Sequence, residues 1–192
     1  MQQGAPPASQ LPATSPTGTS TVKIFAAALL VLVVMLVGIG FVLPSDYEVT
    51  RSIVIAAPPQ EVHKQVEDLH AWSEWMVWLE EDPDMEISYS GADKGADARM
   101  DWTGKDGVGQ LTVMSSDPAK GVWFECLFDE TYVLHGAVCY EAEGDGTRVT
   151  FTGRGDLGGN PLYHYLGLMM DSAMGPDYEA NLQNIKTIVE SE

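Results

Sequence analysis

A chain of 192 residues with 28 acidic against 10 basic side chains carries a formal charge of −18. Such a surface repels phosphate, which excludes nucleic-acid binding by cation clusters and electrostatic docking on anionic lipid. Its two cysteines lack C-x-x-C spacing, which leaves no dithiol redox or zinc motif.

Residues 1–21 are Pro, Gly, Ser, Thr, Gln and Ala apart from Met1 and Leu11, with no charged side chain. They cannot bury enough surface to offset the entropy of ordering, and a disordered tail is expected. Residues 22–43 follow as a transmembrane helix. Its core, 24–43, has no charged or strongly polar side chain, and at ~1.5 Å per residue it matches a hydrocarbon layer of about 30 Å. A cleaved signal peptide is the competing reading. Its apolar core is usually shorter, and Leu43-Pro44-Ser45 puts proline where the peptidase prefers none. Lys23 before the apolar core and Arg51 after it give a slight positive-inside bias, which places the following domain on the extracytoplasmic side of a single-pass protein.

Residues 45–192 hold all 28 acidic and nine of the ten basic residues and make one domain, long enough for a substantial core. Alternation predicts a first strand over 47–55. The Ala57-Pro58-Pro59 stop then opens a short helix to His70 with Val62, Val66 and Leu69 as its apolar stripe. Three tryptophans, at 72, 75 and 78, precede an acidic run at 80–84, read as a solvated turn rather than a cation site. Six strands are predicted at 85–91, 97–103, 108–116, 120–128, 133–142 and 147–154. Gly104-Lys105-Asp106-Gly107 and Gly144-Asp145-Gly146 supply hairpin turns that tolerate positive φ. From Leu162 to the end the apolar period becomes helical, predicting one long C-terminal helix, or two pieces with Pro176 starting the second. The fold class is α+β, with one helix covering a face of an antiparallel sheet of about seven strands.

Several segments carry a family resemblance. They are Val49-x-Arg51-Ser52-Ile53-x-Ile55-x-Ala57-Pro58-Pro59-x-Glu61-Val62, Trp72-x-x-Trp75-x-x-Trp78, Asp101-Trp102-x-Gly104, Gly146-Thr147-Arg148-Val149-Thr150 and Tyr178-Glu179-x-x-Leu182-x-x-Ile185-Lys186. In this order the chain resembles the START-related helix-grip superfamily (SRPBCC), nearest its polyketide cyclase/dehydrase and lipid-transport branch. The resemblance implies a curved sheet gripping the last helix around an apolar cavity. It does not choose among the superfamily's carriers, receptors and enzymes.

Alternation turns Met100, Trp102, Leu111, Val113, Phe124, Phe128, Val149 and Phe151 inward, with Tyr165, Met169, Met170 and Tyr178 added from the helix. With Trp75 and Trp78 they are the candidate lining of a ligand cavity, although the same residues would equally fill a solid core. The tryptophans fit a cavity gate, a core plug or an interfacial belt at the bilayer. His63, Glu67 and His70 share a helix side and read as a solvated polar face, not a metal site. His135 and His164 stand alone. Arg154, Asp156 and Asp171 are expected in surface salt bridges, and Asp101 points outward. Cys126 and Cys139 are two buried thiols, or a disulfide if the turn between their strands centres near Tyr132 and Val133. The sequence implies no catalytic residue, metal or cofactor and identifies no protein partner.

The function expected is a membrane-anchored binding protein for a hydrophobic small molecule or lipid. The alternatives are a cyclase or dehydratase, which requires a buried titratable group in the cavity, and a tethered protein-interaction domain with a filled core.

Overall fold

A computed structural model describes residues 18–80, 82–105 and 107–191; Glu81, Asp106 and most of the expected tail lie outside them. Helix α1, Gly18–Gly40, begins inside the stretch expected to be tail. Among the described residues, one helix, Thr21–Gly40, is long and apolar enough to span a membrane, and its most apolar stretch is left uncovered by the domain.

The domain runs β1 (Asp46–Ile55), α2 (Pro59–Glu67), a 3₁₀ turn (Ala71–Glu74), α3 (Val77–Glu80), β2 (Glu86–Gly91), β3 (Ala98–Gly104), β4 (Gly107–Asp117), β5 (Gly121–Phe128), β6 (Tyr132–Glu143), β7 (Gly146–Asp156) and α4 (His164–Ser191). The seven strands form one sheet in the order β1-β7-β6-β5-β4-β3-β2, with antiparallel neighbours throughout. A meander closed by its first strand against its last is what short turns allow; only β1 to β2 needs a long connection, and α2 to α3 fill it. A bulge between Val113 and Ser115 interrupts the alternation in β4 and leaves the exposed Met114 without a partner on β5.

α4 lies across the concave face of the sheet. Tyr178, Leu182, Ile185 and Val189 recur along one side and are buried, with β1 the strand it packs against most. The helix passes unbroken through Pro176, so the two-piece alternative is corrected. Its stability there has a visible cause. Arg51 of β1 reaches under the helix at Gly175, where a β-carbon would overlap its guanidinium. From there it pairs with Asp171 (Nη1–Oδ1 2.7 Å) and Glu179 (Nε–Oε1 2.7 Å), one turn either side of the proline. The guanidinium also holds the Asp171 carboxyl below its usual range. Arg51→Gln is therefore expected to speed amide hydrogen exchange around residues 172–179 while leaving 182–189 protected, as measured by mass spectrometry. Equal protection in both variants would reject the clamp.

α2 stops at Glu67, three residues before expectation, because Asp68 turns extended and its carboxylate takes the His70 N–H (2.9 Å). The β5–β6 turn centres on Glu130, so Cys126 faces Leu134 and Cys139 faces Gly121. This register corrects the disulfide alternative: both thiols are free, Cys126 buried and Cys139 half-buried. Arg154 pairs with Glu48 (2.7 Å), and Asp156 accepts the Gly158 N–H (2.8 Å).

Candidate ligand cavity

Between the sheet, α3 and the middle of α4 lies a largely apolar cavity of about 290 Å³. Its walls are Trp78, Trp102, Phe124, Phe128, Phe151 and Tyr178, all expected from the sequence, together with Leu111. Trp78 tilts against Trp102 at 5.2 Å between ring centres, and Phe151 stacks on Tyr178 at 4.2 Å. Trp75, Met100 and Val113 belong instead to the fully buried core behind the wall. Trp72 and Trp75 are plugs: neither is exposed, and their indole N–H groups donate to the Val66 and Gln65 carbonyls. That burial corrects the interfacial-belt reading for both, while Trp78 is wall.

Tyr165, Met169 and Met170 do not line the cavity. The first turns of α4 project beyond the sheet: the Tyr165 hydroxyl donates to the Leu36 carbonyl of α1 (2.7 Å), Met169 is 65% exposed, and Met170 packs half-buried on the core. The lining that sequence alternation missed comes from irregular segments and from α4: Met76, Met85, Met174 and Asn181, with Cys126 and Leu134 on the sheet. Met174 precedes Tyr178 by one turn, a helical spacing that could have found it.

Strand glycines make the room. A β-carbon at Gly136 would overlap the Phe124 ring, one at Gly109 the Trp102 ring, and one at Gly153 the Tyr178 hydroxyl. These aromatic groups can approach the sheet closely only because those positions lack a side chain. Gly136→Ala is expected to push Phe124 into the cavity and cost about 1–3 kcal/mol, read as a lower thermal midpoint. An unchanged midpoint would contradict this packing.

The polar groups are largely engaged. Asn181 accepts the Val77 N–H (2.9 Å) and directs its amide to the Met76 sulfur (3.2 Å), and Asp82 accepts the Lys105 N–H (2.8 Å). Asp82 is buried, which corrects the solvated acidic turn at that residue. Burial pushes the Cys126 thiol up to about 12 and the Tyr178 hydroxyl upward as well, so both stay neutral. Among the described residues no group of three or more His, Cys, Asp or Glu is arranged to hold a metal.

His63 is corrected from a solvated position to a buried one. α2 presses it against the sheet, where its ring meets the Tyr140 hydroxyl (3.4 Å), the Ser116 hydroxyl (3.3 Å) and Glu67 (3.2 Å). Burial lowers its pKa, against the opposing pull of Glu67 and Asp117. The folded state therefore favours the neutral ring. Its contribution is complete above the ordinary value of about 6.5 and is lost as pH falls through the folded pKa. His63→Gln is expected to flatten the acid limb of a stability–pH curve; an acid limb identical to that of the parent would exclude this origin. His135 is exposed beside Glu125, and Asp101 is partly buried and accepts from Gln110 (2.6 Å).

Residues 46–190 match the model of the family described as polyketide cyclase / dehydrase and lipid transport. Among solved structures the chain is similar to protein SA2116 from Staphylococcus aureus, at TM-score 0.58 and 13% identity over 76% of this chain and 94% of that one. It is also similar to TTHA0849 from Thermus thermophilus, at TM-score 0.54 and 21% identity over 75% and 97% of the two chains. A third is CV1439 from Chromobacterium violaceum, at TM-score 0.56 and 13% identity over 75% and 98%. At these identities the similarity is one of fold. No curated protein matches the sequence.

Proposed function

Since the chain belongs to the polyketide cyclase/dehydrase and lipid-transport family, we propose that it binds a hydrophobic small molecule or single-chain lipid while α1 holds it at a membrane. The observation that carries this reading is the aromatic- and methionine-lined cavity between sheet and α4. Its volume of about 290 Å³ lies at the small end of ligand sites, which range over roughly 300–1,000 Å³. One ring system or one acyl chain suits that space better than a whole two-chain lipid. Burial of apolar ligand surface, at roughly 25 cal/mol per Å², supplies the affinity.

A carrier or sensor fits better than an enzyme. The walls that would surround a ligand are apolar, burial keeps Cys126 and Tyr178 neutral, and the lining carboxylates Asp82 and Asp129 are already engaged by the Lys105 and Val108 N–H groups; Asp177 and Lys105 are the remaining ionisable groups an enzyme would have to use. The slight cation bias around α1 supports an extracytoplasmic domain, which protease protection in sealed, oriented vesicles would test.

The direct experiment is organic extraction and native mass spectrometry of the full chain in nanodiscs, beside a variant with the cavity filled. A stoichiometric adduct present only in the parent supports the reading. The same adducts in both, or none after challenge with fatty acids and aromatic polyketides, would reject it.

A further inference from the structure

The exposed apolar side chains of the domain are gathered at one end. Val108, Phe128, Tyr132 and Val133 occupy strand ends there, and Leu162, Leu166, Leu168 and Met169 lie on the approach to α4 and its first turns, each at least 38% exposed. Among the described residues of the domain, only Val54 and Met114 are large, apolar and exposed elsewhere. The strand register shows that this is a single end. Gly109 faces Phe128, Phe128 faces Tyr132, Leu134 faces Gly155, and Asp156 faces Asp46.

α1 meets the domain at the same end. Leu157 N–H donates to the Ser45 carbonyl (2.9 Å), and the Tyr165 hydroxyl donates to that of Leu36 (2.7 Å). His164 places one ring nitrogen against the Gly40 carbonyl and the other against Gly158 (2.8 Å each), an arrangement that raises its pKa because only the imidazolium donates to both. Leu36 lies one turn inside the end of α1, about 6 Å along the axis at 1.5 Å per residue. A helix that spans a bilayer to Gly40 therefore carries Tyr165 at or below the membrane surface, with the first turns of α4 alongside. The cavity reaches this end too, since Val108 and Phe128, both exposed here, are part of its lining.

We infer that this end of the domain seats on the bilayer that α1 spans, immersing Leu162, Leu166 and Met169 and opening the cavity to lipid rather than to water. The inference rests on α1 as a membrane span but not on the identity of any ligand. A contiguous apolar surface beside an anchor needs a partner of low polarity. The carboxylates of Asp46, Asp129, Glu130 and Asp156 at the same end favour zwitterionic over anionic headgroups.

The test uses the full chain with Cys126 and Cys139 replaced by alanine, reconstituted in phosphatidylcholine vesicles. An environment-sensitive fluorophore is placed in turn at Val31→Cys, Met169→Cys and Thr187→Cys, after circular dichroism confirms each fold. Lipid-borne nitroxide is expected to quench the labels at 31 and 169 several-fold more than the label at 187, which sits on exposed α4 surface at the far end. Quenching at 31 with a wet label at 169 would overturn the seating. A label at 169 shielded from both lipid nitroxide and aqueous iodide would also overturn it, pointing to a second copy on this face. An unquenched label at 31 would remove the membrane span and the inference with it. None of these outcomes bears on the ligand adduct, so the two readings fail separately.

Discussion

Trp72→Ala is expected to cost about 3–5 kcal/mol, the range for deleting a large aromatic from a core that cannot collapse around the void. Trp72 is fully buried, stands edge-on to Phe124 at 5.0 Å and tilts against Trp75 at 4.8 Å. Its N–H donates to Val66 at the end of α2, so the substitution also orphans a buried carbonyl. Because domain stabilities are commonly about 5–15 kcal/mol, this one change would consume a large share. The thermal midpoint in mild detergent should fall by on the order of 10 °C, since 1 kcal/mol corresponds to roughly 2–4 °C in a domain of this size. Trp72→Phe, which keeps most of the volume, should fall less. Equal midpoints for the alanine variant and the parent would show that the plug does not hold the connecting helices on the sheet.

Met174→Trp is expected to empty the cavity of ligand without unfolding the domain. Met174 is half-buried on α4 and borders the cavity, so an indole there can enter space that is already open instead of displacing packed core. A ligand that must share a space of about 290 Å³ with the indole should lose at least tenfold in occupancy-derived affinity, about 1.4 kcal/mol. Native mass spectrometry with parallel thermal melts checks both halves. Full occupancy in a folded variant would place the ligand elsewhere.

Much of the fold was legible because its signals are local. The glycine-bearing turns at 104–107 and 144–146 and the alternation between them located β3, β4, β6 and β7 to within about two residues. The change to helical period after Leu162 marked α4. Pro176 misled because the missing N–H is a local cost, whereas the Arg51 clamp that supports the helix comes from a strand 120 residues away in sequence. His63 misled for a similar reason. A stripe of Val62, Val66 and Leu69 describes one narrow face, and the sequence does not show how far the sheet wraps around so short a helix.

The candidate site was half legible. Strand alternation found Trp102, Phe124, Phe128 and Phe151 because side chains on one face of a sheet point one way. The same rule could not separate them from Met100 and Val113, which point the same way but meet packed atoms. Tyr165 and Met169 followed the helical period correctly, yet their turns lie past the edge of the sheet, where nothing from the sheet covers them.

The amino-acid sequence by itself determined the apolar helix, the order of strands and helices and the faces that turn inward, because periodicity, turn chemistry and hydropathy act over a few residues. The tertiary structure alone decided where the cavity lies, which tryptophans plug and which line it, that His63 is buried, and that the exposed apolar surface gathers beside the end of α1. Those features depend on sheet curvature, strand register and the length by which α4 overshoots the sheet, all of which arise from contacts between residues far apart in the chain.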